Sequence, residues 1–164
     1  MTVGAQVLKQ QAQPVLQVND DIRAFAKDMI HAMREYDGIG LAAPQAGRSL
    51  RLVVLEVPGS DEEELSPGEA AMLPQMPMVL VNPRIIGRSD SVCERDEGCL
   101  SVPGRRGDVL RSQEIVVEYA DMTSIRDTSC EDIPMIRDTV RGFTAVIFQH
   151  EIDHLEGVLY IDRL

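Results

Sequence analysis

The chain has 164 residues, enough for one domain with a sizeable core and too few for a second. A formal charge of −11 and a pI near 4.6 exclude nucleic-acid binding through a broad basic face. No apolar run approaches the ~18 residues needed to cross a bilayer, so no membrane partner is expected.

Residues 1–6 carry neither a charged nor an apolar leader segment, so no signal peptide and a cytoplasmic setting are expected. The three cysteines include no C-x-x-C pair, which suits a reducing compartment with free or metal-bound thiols. Asn19, Asp20 and Asp21 offer N-cap chemistry ahead of Ile22, Phe25, Ala26, Met29, Ile30 and Met33, an amphipathic helical stripe that stops near Asp37 and Gly38. His31 lies off that stripe and is expected at the surface. The following Gly38-Ile39-Gly40-Leu41-Ala42-Ala43-Pro44-Gln45 fits G-x-G-x-x-A, but a dinucleotide fingerprint follows a strand and opens a helix. Here the pattern follows a helix and runs into Pro44 and Gly47. It reads instead as a helix-ending loop whose small residues let backbone approach a ligand, with Gln45 as a neutral donor able to polarise a carbonyl.

Residues 50–57 read as a strand buried on both faces. Residues 58–77, rich in Pro and carrying the acidic run 61–64, read as an exposed loop within a single domain 1–164. Extended segments are expected at 78–82 with 84–86, at 114–119, and less regularly at 134–140. A last helix is expected from Gly142 to about Glu156, with Gly157 suited to a left-handed C-cap. The fold class is therefore α+β: antiparallel or mixed sheets packed around a C-terminal metal-binding helix, with an N-terminal amphipathic helix.

Chemistry concentrates in His150-Glu151-Ile152-Asp153-His154, an H-E-x-x-H spacing that uses two of the chain's three histidines. Four helical residues advance about 400°, so His150 and His154 share a face and can reach one metal ion. Glu151 adjoins the first imidazole, where a carboxylate can accept a proton from water. Phe143, Val146 and Ile147 continue the same face and can wall an apolar pocket beside it. Catalytic zinc-type sites take three protein ligands and keep one position open. No His follows His154, and Glu156 points away from it, so the third ligand comes from upstream. Cys99, in Glu97-Gly98-Cys99-Leu100-Ser101, is the first candidate; Cys93 is its rival and Cys130 stands third.

Three blocks, from Gly38 to Gln45, from Glu97 to Ser101, and from Gln149 to Leu155, closely resemble the three motifs of peptide deformylase, in order and at compatible spacing. The resemblance implies a hydrolase that removes the N-formyl group from the formyl-methionine of nascent polypeptides and releases formate. It implies metal ligation by Cys99, His150 and His154, with one divalent ion per chain. Fe2+ is expected, and Zn2+, Ni2+ or Co2+ can substitute. It further implies Glu151 as proton carrier, oxyanion donors from the Gln45 side chain and the Leu100 N–H, and strand-like pairing of the substrate at Gly40. Glu97 and Asp153 would orient ligands, and Arg106 and Arg111 resemble arginines of the family, or else are plain surface charge. The expected partners are a formyl-methionyl peptide and, through the nascent chain, the ribosome. Two loops depart from compact members, at 58–77 and 121–132. The alternatives are an H-E-x-x-H metallopeptidase or amidase acting on ordinary peptide bonds, and a structural metal-binding module.

Overall fold

The computed structural model describes residues 1–58, 65–125 and 134–164, so the acidic run 61–64 and Cys130 lie outside the described residues. In chain order the elements are α1 (Asp20–Glu35), β1 (Gly40–Ala42), β2 (Leu52–Leu55), α2 (Pro67–Met72), β3 (Met78–Arg88), β4 (Val92–Cys99), β5 (Val102–Ser112), β6 (Glu114–Asp121), β7 (Ile136–Arg141) and α3 (Gly142–Leu155). Five strands form an antiparallel sheet in the order β1-β2-β3-β6-β7, while β4 and β5 form a separate hairpin. The architecture is α+β, and the pairing within both named sheets is antiparallel.

Alternation explains why β2 is buried on both sides. Leu52 and Val54 share a core with Ile22, Ala26, Met29 and Met33 of α1. Val53 and Leu55 join Ala145, Phe148, Ile152 and Leu155 of α3 on the opposite face. The expected N-cap of α1 is present, with Asn19 Oδ1 accepting from the Ile22 N–H at 3.0 Å. His31 is exposed. Gly157 follows α3 at φ 74°, where a side chain would also meet the Lys9 backbone at 2.8 Å.

Residues 65–77 are not the expected exposed loop. Ser66 caps α2 by accepting from the Glu69 N–H at 3.2 Å, and the Glu69 carboxylate accepts from the Ser66 N–H at 2.9 Å. This reciprocal box satisfies donors that a helix start otherwise leaves bare. The Ser66 hydroxyl also donates to the Thr139 carbonyl of β7, and Met72 enters the core shared with α3. The Pro- and Gly-rich composition concealed a short helix fastened to the sheet edge. The β4–β5 hairpin was likewise not expected, because its residues lack apolar alternation: along β4 only Glu97 is buried.

Candidate active site and metal centre

The site forms where α3, the β4–β5 hairpin and the turn after β1 meet. From the α3 face, His150, Glu151 and His154 are all buried. Cys99 ends β4, and its sulfur lies 3.3 Å from His154 Nε2. The donor atoms of Cys99, His150 and His154 all lie within 4.8 Å of one another. Metal–sulfur and metal–nitrogen bonds of about 2.0–2.3 Å in a tetrahedron separate such donors by about 3.3–3.8 Å; the Cys99–His154 pair stands at that spacing, and the three donors together are close enough to converge on one ion. Cys93 stands apart, opposite Arg111 in the hairpin register, and belongs to no such group among the described residues.

The electrostatics agree with cation binding. His150 Nδ1–H donates to Glu97 Oε2 at 2.8 Å, which leaves Nε2 as the nitrogen available to a metal ion. Burial works against a proton on His150, yet hydrogen bonds with Cys99 and Glu97 raise its pKa to about 10. Surroundings that favour a proton there favour a metal cation for the same reason. Burial, with His150 and Arg111 nearby, drives His154 well below the usual range and keeps it neutral, the form that ligates. Burial also lifts Glu151 to about 7, suited to exchanging protons near neutral pH. Glu151 Oε2 is buried with no hydrogen-bond partner among the described residues, as is His154 Nδ1.

Glu97 is itself clamped. Burial alone would raise its pKa, but Arg111 and His150 hold it down at about 2. Arg111 Nε and Nη2 grip the Glu97 carboxylate at 2.7 and 2.9 Å, and Arg111 Nη1 donates to Asp153 Oδ2 at 2.5 Å. Arg111 is thus buried, and the surface-charge reading fails for it. Arg106 fits that reading: it is exposed and pairs with Asp96 at 2.6 Å.

The turn after β1 supplies the opposite wall. The Ala42 N–H donates to Gln45 Oε1 at 2.8 Å, which orients the amide. Its Nε2 therefore points to Ser101 Oγ at 3.2 Å and Cys99 Sγ at 3.4 Å. Gly40 touches Glu151 so closely that a Cβ would lie 2.5 Å from its Oε1. Gly40, Gln45, Leu100, Phe143, Val146 and Ile147 line a cleft of about 1070 Å³, together with Cys99, His150 and Glu151. All the residues expected to act on substrate are thus gathered around one opening, and His154 lies behind it. Two contributors escaped the sequence reading. Ser101 anchors Gln45, and Tyr160 stacks on His150 at 6.2 Å between ring centroids. Neither carries a local signal beyond its place beside a motif.

The sequence profile of the family described as polypeptide deformylase matches residues 1–164. The chain belongs to the peptide deformylase family. It is accordingly a metal-dependent hydrolase whose reaction is removal of the N-formyl group from nascent chains. The peptide deformylase of Maricaulis maris is 41% identical over 164 residues, covering 100% of this chain and 83% of its own length. That of a Picosynechococcus species is 40% identical over 162 residues, covering 99% and 76%. Among solved structures, the Ehrlichia chaffeensis peptide deformylase superposes with a TM-score of 0.84 at 32% identity, covering 100% of this chain and 86% of that one. The Synechococcus elongatus peptide deformylase, in complex with actinonin, gives 0.79 at 34% identity, covering 99% and 76%.

Proposed function

We propose that Cys99, His150 and His154 hold one divalent ion and that Glu151 carries the proton in hydrolysis of a formyl-methionyl peptide. The observation behind this is a buried carboxylate with an unpartnered oxygen, beside a Cys-His-His triad on the wall of an open cleft. Fe2+ is our choice of ion, with Zn2+, Ni2+ or Co2+ able to substitute at a mixed sulfur and nitrogen site. Such an ion supplies Lewis-acid polarisation and lowers the pKa of adjacent water towards neutrality.

Glu151 takes a proton from the attacking water as its oxygen bonds to the formyl carbon. Negative charge moves to the formyl oxygen, where Gln45 Nε2–H and the Leu100 N–H donate hydrogen bonds. As the C–N bond breaks, Glu151 returns the proton to the departing amine, leaving formate and a free α-amino group. Phe143, Val146 and Ile147 receive the methionine side chain, whose unbranched thioether suits an apolar slot. The rest of the peptide pairs along β1, an outer strand of the five-stranded sheet, beginning at Gly40. Substrate delivery from the ribosome and a cytoplasmic setting follow from the substrate class.

Metal-loaded protein should release one formate per peptide from formyl-Met-Ala-Ser and leave acetyl-Met-Ala-Ser and Met-Ala-Ser intact. Equal turnover of all three would favour the general amidase. Cys99→Ser should lower metal content while Cys93→Ser preserves it; metal bound tightly without any hydrolysis would favour a structural module.

A further inference from the structure

The short turn Tyr160–Asp162 and the next residue, Arg163, lie outside every motif, yet they reach the metal triad by two routes. The first is the Tyr160 ring, which stacks on His150 with an interplanar angle of 22°. The second is a chain of charges. Arg163 Nε and Nη2 each meet the Asp153 carboxylate at 2.6 Å, one oxygen apiece. Asp153 Oδ2 also takes Arg111 Nη1, and Arg111 turns its remaining fork on Glu97, which accepts from His150. Arg163 keeps 40% of its side chain exposed, whereas Arg111, Glu97 and Asp153 keep 3, 6 and 7%. It is the one link in this chain that solvent reaches. Arg88 lies near enough to feel Asp153, Arg163 and Arg111, but it donates its hydrogen bond to Gln149 Oε1, at 2.8 Å.

We propose that Arg163 is a positioning residue for the metal ligand His150, acting through Asp153, Arg111 and Glu97. Arg111 is one guanidinium serving two carboxylates. While Arg163 satisfies both Asp153 oxygens, Arg111 stays square on Glu97, and Glu97 holds the His150 ring in one tautomer and one orientation. Without Arg163, the buried Asp153 oxygen left bare competes for Arg111, and Glu97 loosens its hold. The turn is tied down from elsewhere in the chain: Lys9 Nζ meets Asp162 Oδ2 at 2.5 Å, and the same oxygen accepts from the Leu159 N–H at 2.8 Å.

This inference rests on the metal-site reading above, so the test begins with the native chain. Zn2+ affinity is measured by competition with a chromophoric chelator, and the Co2+-loaded protein is read by visible absorption. Arg163→Gln should weaken Zn2+ binding about tenfold or more, the scale seen when outer partners of ligands are removed. It should also shift the Co2+ ligand-field bands. Arg163→Lys, which restores charge without the fork, should recover part of the affinity. If Arg163→Gln does not fold, Arg163→Lys alone carries the test and should show a measurable loss of affinity and a band shift. A purely structural arginine would lower the urea midpoint of the metal-free protein and leave the Zn2+ constant and Co2+ spectrum of the folded protein unchanged. That result overturns the proposal. A native chain that binds neither ion overturns the metal-site reading beneath it.

Discussion

Gly40→Ala is the sharpest test of how the site is packed. Gly40 is not among the glycines with positive φ, so alanine there brings no backbone strain and the effect is steric alone. The new Cβ would lie 2.5, 2.8 and 2.9 Å from Oε1, Cδ and Cγ of Glu151, against about 3.5–4.0 Å for carbon contacts at rest. Roughly 1 Å must be found. The Glu151 side chain cannot swing clear, because it is buried on α3, and β1 is held by pairing with β2 from Gly40↔Leu55 onward. Overpacking of this kind costs about 1–3 kcal/mol of stability. A catalytic group displaced by about 1 Å loses on the order of 100-fold in rate. Formate release from formyl-Met-Ala-Ser should therefore fall about 100-fold in kcat, with metal stoichiometry intact because the ligands are untouched. A fall confined to KM would mean that the strand moved and the carboxylate did not. A variant within about threefold of native kcat/KM, equally stable to urea, would refute the packing argument.

Glu151→Gln keeps the shape of the side chain and removes the proposed proton carrier, so kcat should drop about 10²–10⁴-fold while the urea midpoint holds or rises. A midpoint that falls sharply would mean that Glu151 is chiefly structural. Ser66→Ala removes the α2 cap and should cost about 1 kcal/mol in urea unfolding. No change would restore the loop reading of residues 65–77. Arg111→Met strips the buried Glu97 carboxylate of its arginine, leaves Asp153 with Arg163 alone, and should cost about 3–5 kcal/mol by the same assay. A loss below about 1 kcal/mol would return Arg111 to ordinary surface charge.

The legible parts of the chain are those where one short-range rule decides the outcome. The His150 and His154 spacing needs only helical periodicity, and Asn19 needs only cap chemistry. The runs that became β2 and β3 are apolar enough to announce burial. Arg111 obeys no such rule. Its partners lie 14 and 42 residues away, and a lone arginine in a charged stretch looks the same whether it pairs across the molecule or faces water. The β4–β5 hairpin hid for a related reason: much of what it buries is charged, so period-2 alternation of apolar residues is missing. Ser66 to Glu69 was legible in principle, since the capping box is written in the sequence, but the surrounding Pro and Gly outweighed it.

Helix α3 explains why that hidden hairpin had to exist. Eleven of its fourteen residues are buried, and Gln149, His150, Glu151, Asp153 and His154 are among them. Polar groups withdrawn from water need partners, and α3's own backbone supplies only one of those described, the Ala145 carbonyl that accepts from Gln149 Nε2 at 3.0 Å. The hairpin provides most of them. Gln149 exchanges bonds with both the N–H and the carbonyl of Ser112, while Glu97 takes His150 and Arg111 takes Asp153. Carboxylates that serve structure here are neutralised, as Glu97 and Asp153 are by arginine. Glu151 breaks the pattern with a buried oxygen that nothing among the described residues satisfies. A fold that neutralises its other buried α3 carboxylate and leaves this one bare, beside the Cys-His-His triad, meets the requirement of the proton-carrying role proposed for Glu151.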